Sequence, residues 1–260
     1  MLNLNNLHFE YNPYPHGVAK NVFDVNTYKE IVENFPDVNK FYSLKNKNKF
    51  NKEEKFSKFS LSSKNNPKTF FDFVNNNSSY KKLSNFHFSY DFKINLFNIL
   101  IKNNINLGVI PLKRNNKNLL RNFLLNFTPY NILKPLQDVD VAIEFSAIPV
   151  RGGFIKPHTD GPHKLLSIVI PIIDKSWQDS FNGGTNFLKP KDNTKIYNIL
   201  NNTYEFEQCD IIKTVNFNSN QLLIFLKTYN SFHSVGPLNG EQDNLYRKSI
   251  TLTIEKKVKY

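Results

Sequence analysis

Three side chains from two distant parts of the chain have the types and spacing of a metal site. His158 and Asp160 are separated by one residue, and His233 follows much later. Two imidazoles and one carboxylate on one face of an octahedral ion leave three positions open, which suits Fe(II) that must bind a co-substrate and then O2. These residues therefore predict a non-haem iron site.

The local sequence indicates how the first two ligands converge. In an extended strand, residues i and i+2 project from the same face about 7 Å apart, so His158 and Asp160 can share an ion where a strand ends. Pro157 offers no ladder donor, and Gly161-Pro162 marks a turn, as expected at such an end. For this pair alone, the alternative is a surface turn in which Asp160 bonds local backbone. His163 is a rival ligand that the turn would direct elsewhere.

A polar stripe near position 250 predicts a binding site for a carboxylate. Arg247, Ser249, Thr251 and Thr253 alternate with apolar residues, which predicts a strand with its apolar face on the helices and its polar face on a cavity. Arg247 can bind a carboxylate through two parallel hydrogen bonds, and Ser249 can add a third. The alternative is an ordinary exposed sheet face.

The order of predicted elements places helices before strands. An amphipathic helix is predicted near residues 27–35, where Thr27-x-x-Glu30 has the form of a capping box, and further helices near residues 69–76 and 80–103. Strand-sized segments are predicted at 119–127, 138–147, 164–173, 185–189, 209–217, 221–227, 231–236 and 246–256. This order predicts an α+β fold, with an N-terminal helical layer on a β-sandwich or barrel.

We expect one domain over residues 1–260. Residues 1–117 form its mostly helical part, with a Lys/Asn-rich loop at 40–68, and residues 118–260 form its β-rich core. The hydrophobic fraction of 40% and the aromatic fraction of 14% are ample for a packed core.

Charge and cysteine content bear on partners and compartment. The net charge of +12 comes mainly from lysine. Arginine, whose guanidinium group binds phosphates through two hydrogen bonds, is scarce, so we do not expect a nucleic-acid partner. Cys209 is the only cysteine, no secretion signal is evident, and the apolar runs are too short to span a bilayer. We therefore expect a cytoplasmic protein without a membrane partner.

Residues 138–256 resemble the Fe(II)/2-oxoglutarate-dependent oxygenases, in particular the branch similar to prolyl 4-hydroxylases. The resemblance rests on ordered matches along the chain: Phe154 before His158-Thr159-Asp160, the strand Leu165–Ile173, Gly183-Gly184 before Phe187, Phe232-His233, and Arg247-x-Ser249.

The resemblance implies a double-stranded β-helix, also called a jelly-roll or cupin-like fold, with N-terminal helices on its major sheet. It further implies that His158, Asp160 and His233 bind Fe(II), and that Arg247 with Ser249 binds the distal carboxylate of 2-oxoglutarate. Many prolyl 4-hydroxylases have lysine at the clamp position, so Arg247 makes a peptidyl-proline substrate doubtful. Asp160 stands where related halogenases have a small residue, and Thr253 where nucleic-acid demethylases have a second arginine.

The expected activity is that of a 2-oxoglutarate-dependent dioxygenase. It would use O2 to hydroxylate a C–H bond of a small polar molecule, such as an amino acid, and release succinate and CO2. The alternatives are a hydroxylase of peptide or protein side chains, a non-catalytic cupin-like binding module, and a zinc hydrolase, in which the Arg-x-Ser clamp would have no evident role.

Two further residues are candidates for contact with the substrate. Arg151 could bind a substrate carboxylate or form a structural salt bridge. Trp177, the only tryptophan, could cover the pocket or anchor the core.

Overall fold

The computed structural model describes residues 2–43, 58–109, 111 and 139–256. Four helices and twelve strands have the following bounds: α1 Val25–Glu33, α2 Pro67–Asn75, α3 Ser78–Phe88 and α4 Tyr90–Lys102; β1 His8–Glu10, β2 His16–Lys20, β3 Tyr42–Ser43, β4 Phe59–Ser62, β5 Val139–Pro149, β6 Ile155–His158, β7 Lys164–Ile172, β8 Thr185–Pro190, β9 Cys209–Val215, β10 Gln221–Leu226, β11 His233–Val235 and β12 Tyr246–Lys256. Within these ranges, no helix is long and apolar enough to cross a membrane.

Local capping explains where the helices begin. The carboxylate of Asp24 accepts a hydrogen bond from the backbone N–H of Thr27, so Asp24 is the N-cap of α1 and the prediction of Thr27 as the cap was wrong. Pro67 opens α2, where its missing N–H has no cost. Ser89 ends α3 and caps α4, which explains why the helical segment predicted over 80–103 is two helices.

The strands form two antiparallel sheets. The larger has the order β1-β2-β10-β7-β12-β5-β4-β3, and the smaller has the order β6-β11-β8-β9. In the larger sheet, β12 lies between β5 and β7 and pairs with β5 over its whole length, from Tyr246 opposite Pro149 to Lys256 opposite Val139.

The helices pack on one face of the larger sheet. Phe145 at the centre of this layer is fully buried and lies 5.1 Å, between ring centroids, from both Phe70 of α2 and Tyr80 of α3. Ile250, Leu252 and Ile254 of β12 belong to the same apolar cluster. The helical layer therefore covers the apolar face of β12, as the alternating sequence predicted.

The smaller sheet packs on the opposite face. Phe187 of β8 and Val215 of β9 form a cluster with Leu223 and Phe225 of β10, to which Tyr14 belongs. The Tyr14 hydroxyl donates to the carbonyl of Phe232 at 2.9 Å, which ties the N-terminal segment to the start of β11. Strand β10 is buried throughout because helices cover one of its faces and the smaller sheet covers the other.

Most of the strand predictions are confirmed, and the coarse α+β prediction agrees with this mixture of helices and large antiparallel sheets. The predicted strand at 119–127, the middle of the loop at 40–68 (residues 44–57) and the division at 117/118 lie outside the described residues, so the domain assignment stays a prediction. The sequence did not predict β1 to β4, which are short and lack a clear alternation. They join the larger sheet at its two edges.

We expect Phe145→Ala to destabilise the fold strongly. The substitution removes an aromatic ring from a site with no exposed surface, and comparable core truncations cost about 3–5 kcal/mol. Denaturant unfolding would measure the loss. Ile101→Ala on α4, where the side chain is 63% exposed, serves as the control and should change the unfolding free energy by less than about 0.5 kcal/mol. Equal losses in the two variants would contradict this description of the core.

Candidate metal centre

The structure brings the three predicted ligands together. His158 is the last residue of β6, Asp160 follows it by two residues, and His233 is the first residue of β11. Antiparallel pairing sets His233 directly opposite His158, with ring centroids 4.3 Å apart. One ligand atom from each of the three side chains lies within 4.8 Å of the other two, so small side-chain rotations would close them on one ion.

Backbone carbonyls fix the orientation of both imidazoles. Nδ1 of His158 lies 2.8 Å from the Lys156 carbonyl, and Nδ1 of His233 lies 3.0 Å from the Ser231 carbonyl. Because a carbonyl only accepts, each Nδ1 must carry the proton and each Nε2 is left with a lone pair. This is the second contact that metal-binding histidines usually make, and it presents both Nε2 atoms as ligands.

Two neighbours hold the carboxylate of Asp160. The Lys164 ammonium donates to Oδ1 at 2.7 Å, and the Ser167 hydroxyl donates to Oδ2 at 2.6 Å. A carboxylate has about four lone-pair sites, so both contacts leave capacity for a metal bond. Lys164 and Ser167, on β7, were not identified from the sequence. Their proximity in sequence to Asp160 was the available signal, because the turn at Gly161-Pro162 leads directly into β7.

The protonation states of the three side chains suit a cation. Burial lowers the pKa of His158 to about 3, with a further contribution from His233, and burial also lowers the pKa of His233. Burial alone would raise the pKa of Asp160, but Lys164 and the two imidazoles outweigh it and hold that pKa well below its ordinary value. At neutral pH, the site therefore offers two neutral imidazoles and one carboxylate, the forms that bind a metal.

The three ligands line one wall of a cavity of about 540 Å³ between the two sheets. This volume is within the usual range for small-molecule sites. Arg247, Ser249, Thr251 and Thr253 of β12 face the same cavity, which confirms that the polar face of this strand lines a pocket.

Arg247 is a buried cation at the side of this cavity. Its side chain is 3% exposed, its Nε donates to the Gly183 carbonyl at 2.6 Å, and its guanidinium lies 4.1 Å above the ring centroid of Phe217. Burial lowers its pKa to about 9, so it stays protonated at neutral pH. Within the described parts of the chain, no carboxylate pairs with it. An uncompensated charge in such a place is costly unless a ligand neutralises it.

The contacts of Arg247 explain the Gly-Gly sequence. A Cβ added to Gly183 would lie 2.5 Å from Cζ2 of Trp177, so only glycine allows the Gly183 carbonyl to reach Arg247 at this point. Trp177 also packs on Phe217, with centroids 5.0 Å apart, and thus lies behind the ring that supports the guanidinium. The sequence did not identify Phe217, which had no distinguishing neighbour in the chain.

The structure favours the structural role for both predicted substrate residues. Trp177 packs between Phe181 and Phe217 and is not among the residues that line the cavity. Arg151 forms an exposed ion pair with Asp243 at 2.6 Å and also lies outside the cavity lining. The salt-bridge and core-anchor alternatives therefore fit better, and substrate contact by either residue stays a prediction. His163 pairs with Glu255 at 3.5 Å and does not join the three ligands.

The arrangement can hold one cation and one small dianion together. His158, Asp160 and His233 would hold the ion, and Arg247 would supply a positive charge for the anion in the same cavity. A zinc hydrolase needs the first site only, whereas a bidentate co-substrate needs both.

Comparison with known proteins gives similarity of structure only. No family model matches the chain, and no curated protein matches it. A prolyl-4-hydroxylase from Pseudomonas putida is similar with a TM-score of 0.46 and 11% identity over 93% of this chain and 92% of that one. A prolyl hydroxylase from Trichoplax adhaerens, in complex with a peptide fragment of the hypoxia inducible factor oxygen degradation domain, has a TM-score of 0.44 and 13% identity, over 93% and 83%. A 2OG-Fe(II) oxygenase family protein from Burkholderia pseudomallei has a TM-score of 0.29 and 14% identity, over 45% and 44%. Similarities this low carry no argument about function, which has to rest on the geometry of the site.

Proposed function

We propose that the protein is an Fe(II)- and 2-oxoglutarate-dependent dioxygenase that hydroxylates a C–H bond of a small polar molecule and releases succinate and CO2. One observation carries this proposal: a buried arginine, with no carboxylate partner among the described residues, faces the same cavity as a two-histidine, one-carboxylate site. 2-Oxoglutarate requires both, because its keto-acid end binds the metal and its distal carboxylate needs a cation such as Arg247.

Each residue then has a defined task. Bound Fe(II) with 2-oxoglutarate would supply the oxidising chemistry at which O2 is activated. His158, Asp160 and His233 hold the ion, while Lys164 and Ser167 keep the Asp160 carboxylate in place. Arg247 binds the distal carboxylate through a bidentate pair, with a further hydrogen bond from Ser249. The two sheets form the walls of the cavity in which these groups meet.

The proposal includes the fold and its organisation. Two antiparallel sheets packed face to face around a cavity support a double-stranded β-helix for the core, with the N-terminal helices on the larger sheet. Strands β1 to β4 belong to the same sheet as β5, β7, β10 and β12, which supports one domain over the whole chain.

The buried arginine also separates this proposal from its rivals. A non-catalytic module or a zinc hydrolase would leave Arg247 without a function and its charge without a counterion. One observation favours a peptide substrate as the second candidate. Exposed apolar side chains at Tyr197, Ile199 and Leu200 precede Asn201, which lines the cavity, so a longer substrate could contact them while its target side chain enters.

We expect Asp160→Ala to abolish the metal site. Removing the only carboxylate ligand leaves two imidazoles, and the Lys164 ammonium would then face the metal site unpaired. Anaerobic titration with Fe(II) and 2-oxoglutarate should give a visible charge-transfer band in the wild-type protein and none in the variant. Asp210→Ala, on exposed β9, is the control and should keep the band. Absence of the band in folded wild-type protein would overturn the proposed function.

We expect Arg247→Ala to weaken 2-oxoglutarate binding by at least about 30-fold, because loss of one partner of a buried charge pair typically costs 2–5 kcal/mol. Fe(II) affinity without 2-oxoglutarate should change little. Titration of the charge-transfer band measures 2-oxoglutarate binding, and calorimetric titration with Fe(II) alone measures the metal affinity. Arg151→Ala is a matched control, because this arginine is exposed and outside the cavity lining. An unchanged 2-oxoglutarate affinity in Arg247→Ala would show that the clamp is misassigned.

A further inference from the structure

We propose that a set of charged side chains in the cavity recognises a substrate carrying both an ammonium and a carboxylate group, such as a free amino acid. This set, here called the charged wall, consists of Lys58, Lys64, Glu144 and Glu255. All four line the cavity that contains the three metal ligands. The proposal rests on the proposed function and assigns the substrate class to it.

Strand register relates Glu144 of the charged wall to Ser167, which contacts the candidate ligand Asp160. Glu144 of β5 lies opposite Thr251 of β12, and the next inward-facing residue, Thr253, lies opposite Ser167 of β7. Ser167 is the residue that holds Asp160. Strand spacing puts the backbone of Glu144 about 10 Å across the sheet and about 7 Å along it from Ser167. Glu144 and the three candidate metal ligands line the same cavity, so a substrate held at Glu144 can extend towards them.

Glu144 has a carboxylate oxygen free for an ammonium group. Its Oε1 accepts from the Lys58 ammonium at 2.5 Å and from the Ser146 hydroxyl at 2.9 Å. Its Oε2 accepts from none of the described residues. The side chain is 19% exposed and lines the cavity. Burial alone would raise the pKa of Glu144, but the charge and hydrogen bond of Lys58 outweigh this effect, so the pKa is lowered and the carboxylate is ionised.

Lys64 is the residue of the charged wall that can bind the carboxylate group of the substrate. Its ammonium donates to Oε2 of Glu255 at 2.6 Å, and its side chain is 54% exposed. An ammonium has three N–H donors, and a second acceptor can therefore join without breaking this pair. Glu255 also faces His163 at 3.5 Å, so it is held from two sides and keeps Lys64 in position.

The charges around the cavity match a ligand of both signs. Three lysines and three carboxylates line it: Lys58, Lys64, Lys164, Glu144, Asp160 and Glu255. Arg247 also lines the cavity, but the proposed function assigns it to 2-oxoglutarate, so it is not counted here. A simple anion would be attracted by the lysines but repelled by the carboxylates. A simple cation would be attracted by the carboxylates but repelled by the lysines. A ligand with one charge of each sign has a partner for both, with its ammonium at Glu144 and its carboxylate at Lys64.

The test is binding of free amino acids and their blocked forms to the Fe(II)- and 2-oxoglutarate-loaded protein without O2. The probes are the proteinogenic amino acids, each with its N-acetyl and its C-amide derivative, and the readout is perturbation of the charge-transfer band, checked by calorimetry. We expect at least one free amino acid to bind and each block to weaken it by about tenfold or more. No binding by any free amino acid, or tighter binding of blocked forms, would overturn the inference while an intact band leaves the proposed function standing.

Two variants assign the groups. Glu144→Gln should weaken binding of the free amino acid by about tenfold or more. In this variant, the free and the N-acetyl forms should bind with similar affinity. Lys64→Met should do the same for the C-amide form. Glu205→Gln, in an exposed pair with Lys156, is the control. If the Glu144→Gln protein fails to form the charge-transfer band, the Lys64→Met variant decides the assignment, because Lys64 is more exposed. Variants that bind like the wild-type protein would overturn the assignment.

Discussion

The contact between His158 and His233 across two antiparallel strands is the constraint on which the site depends. These residues come from distant parts of the sequence, and the pairing of β6 with β11 makes them direct neighbours. A shift of one residue in that pairing would turn one imidazole to the opposite face. The register is fixed because β11 also pairs with β8, whose Phe187 is buried against β10. The metal site therefore depends on the packing of the two sheets.

The alternation of β12 connects that packing to the chemistry. Its apolar side chains are buried under the helices, and this requires its polar side chains to face the cavity. Arg247 is buried as a result, and it has no acidic partner among the described residues. The fold therefore keeps a charged group desolvated, at a cost in stability, where a dianionic co-substrate can neutralise it.

Residues with a strong local pattern could be predicted, and residues defined by the tertiary structure could not. The spacing of His158 and Asp160 and the alternation after Tyr246 are visible in sequence, so the convergence of the candidate ligands and the cavity-facing strand could be predicted. Metal binding by these residues stays a prediction. Phe217 and Gly183 act on Arg247 only because separate loops meet behind it. Strands β1 to β4 are held by their neighbours in the sheet, because segments of two to five residues contain too little periodicity to be recognised.

The hydrogen bond from Tyr14 to Phe232 has a consequence for shortened versions of the chain. Tyr14 precedes β2 and reaches the residue before His233, and its ring packs 4.9 Å from Phe187. Residues 2–20 thus brace the half of the chain that contains the candidate metal centre, although they lie far from it in sequence. A fragment that begins at the large C-terminal β-region would expose the edge of β10. It would also remove one of the two hydrogen bonds that the Phe232 carbonyl accepts, the other coming from the Leu188 N–H. N-terminal trimming is therefore an unsuitable route to a shorter version that keeps the candidate metal centre.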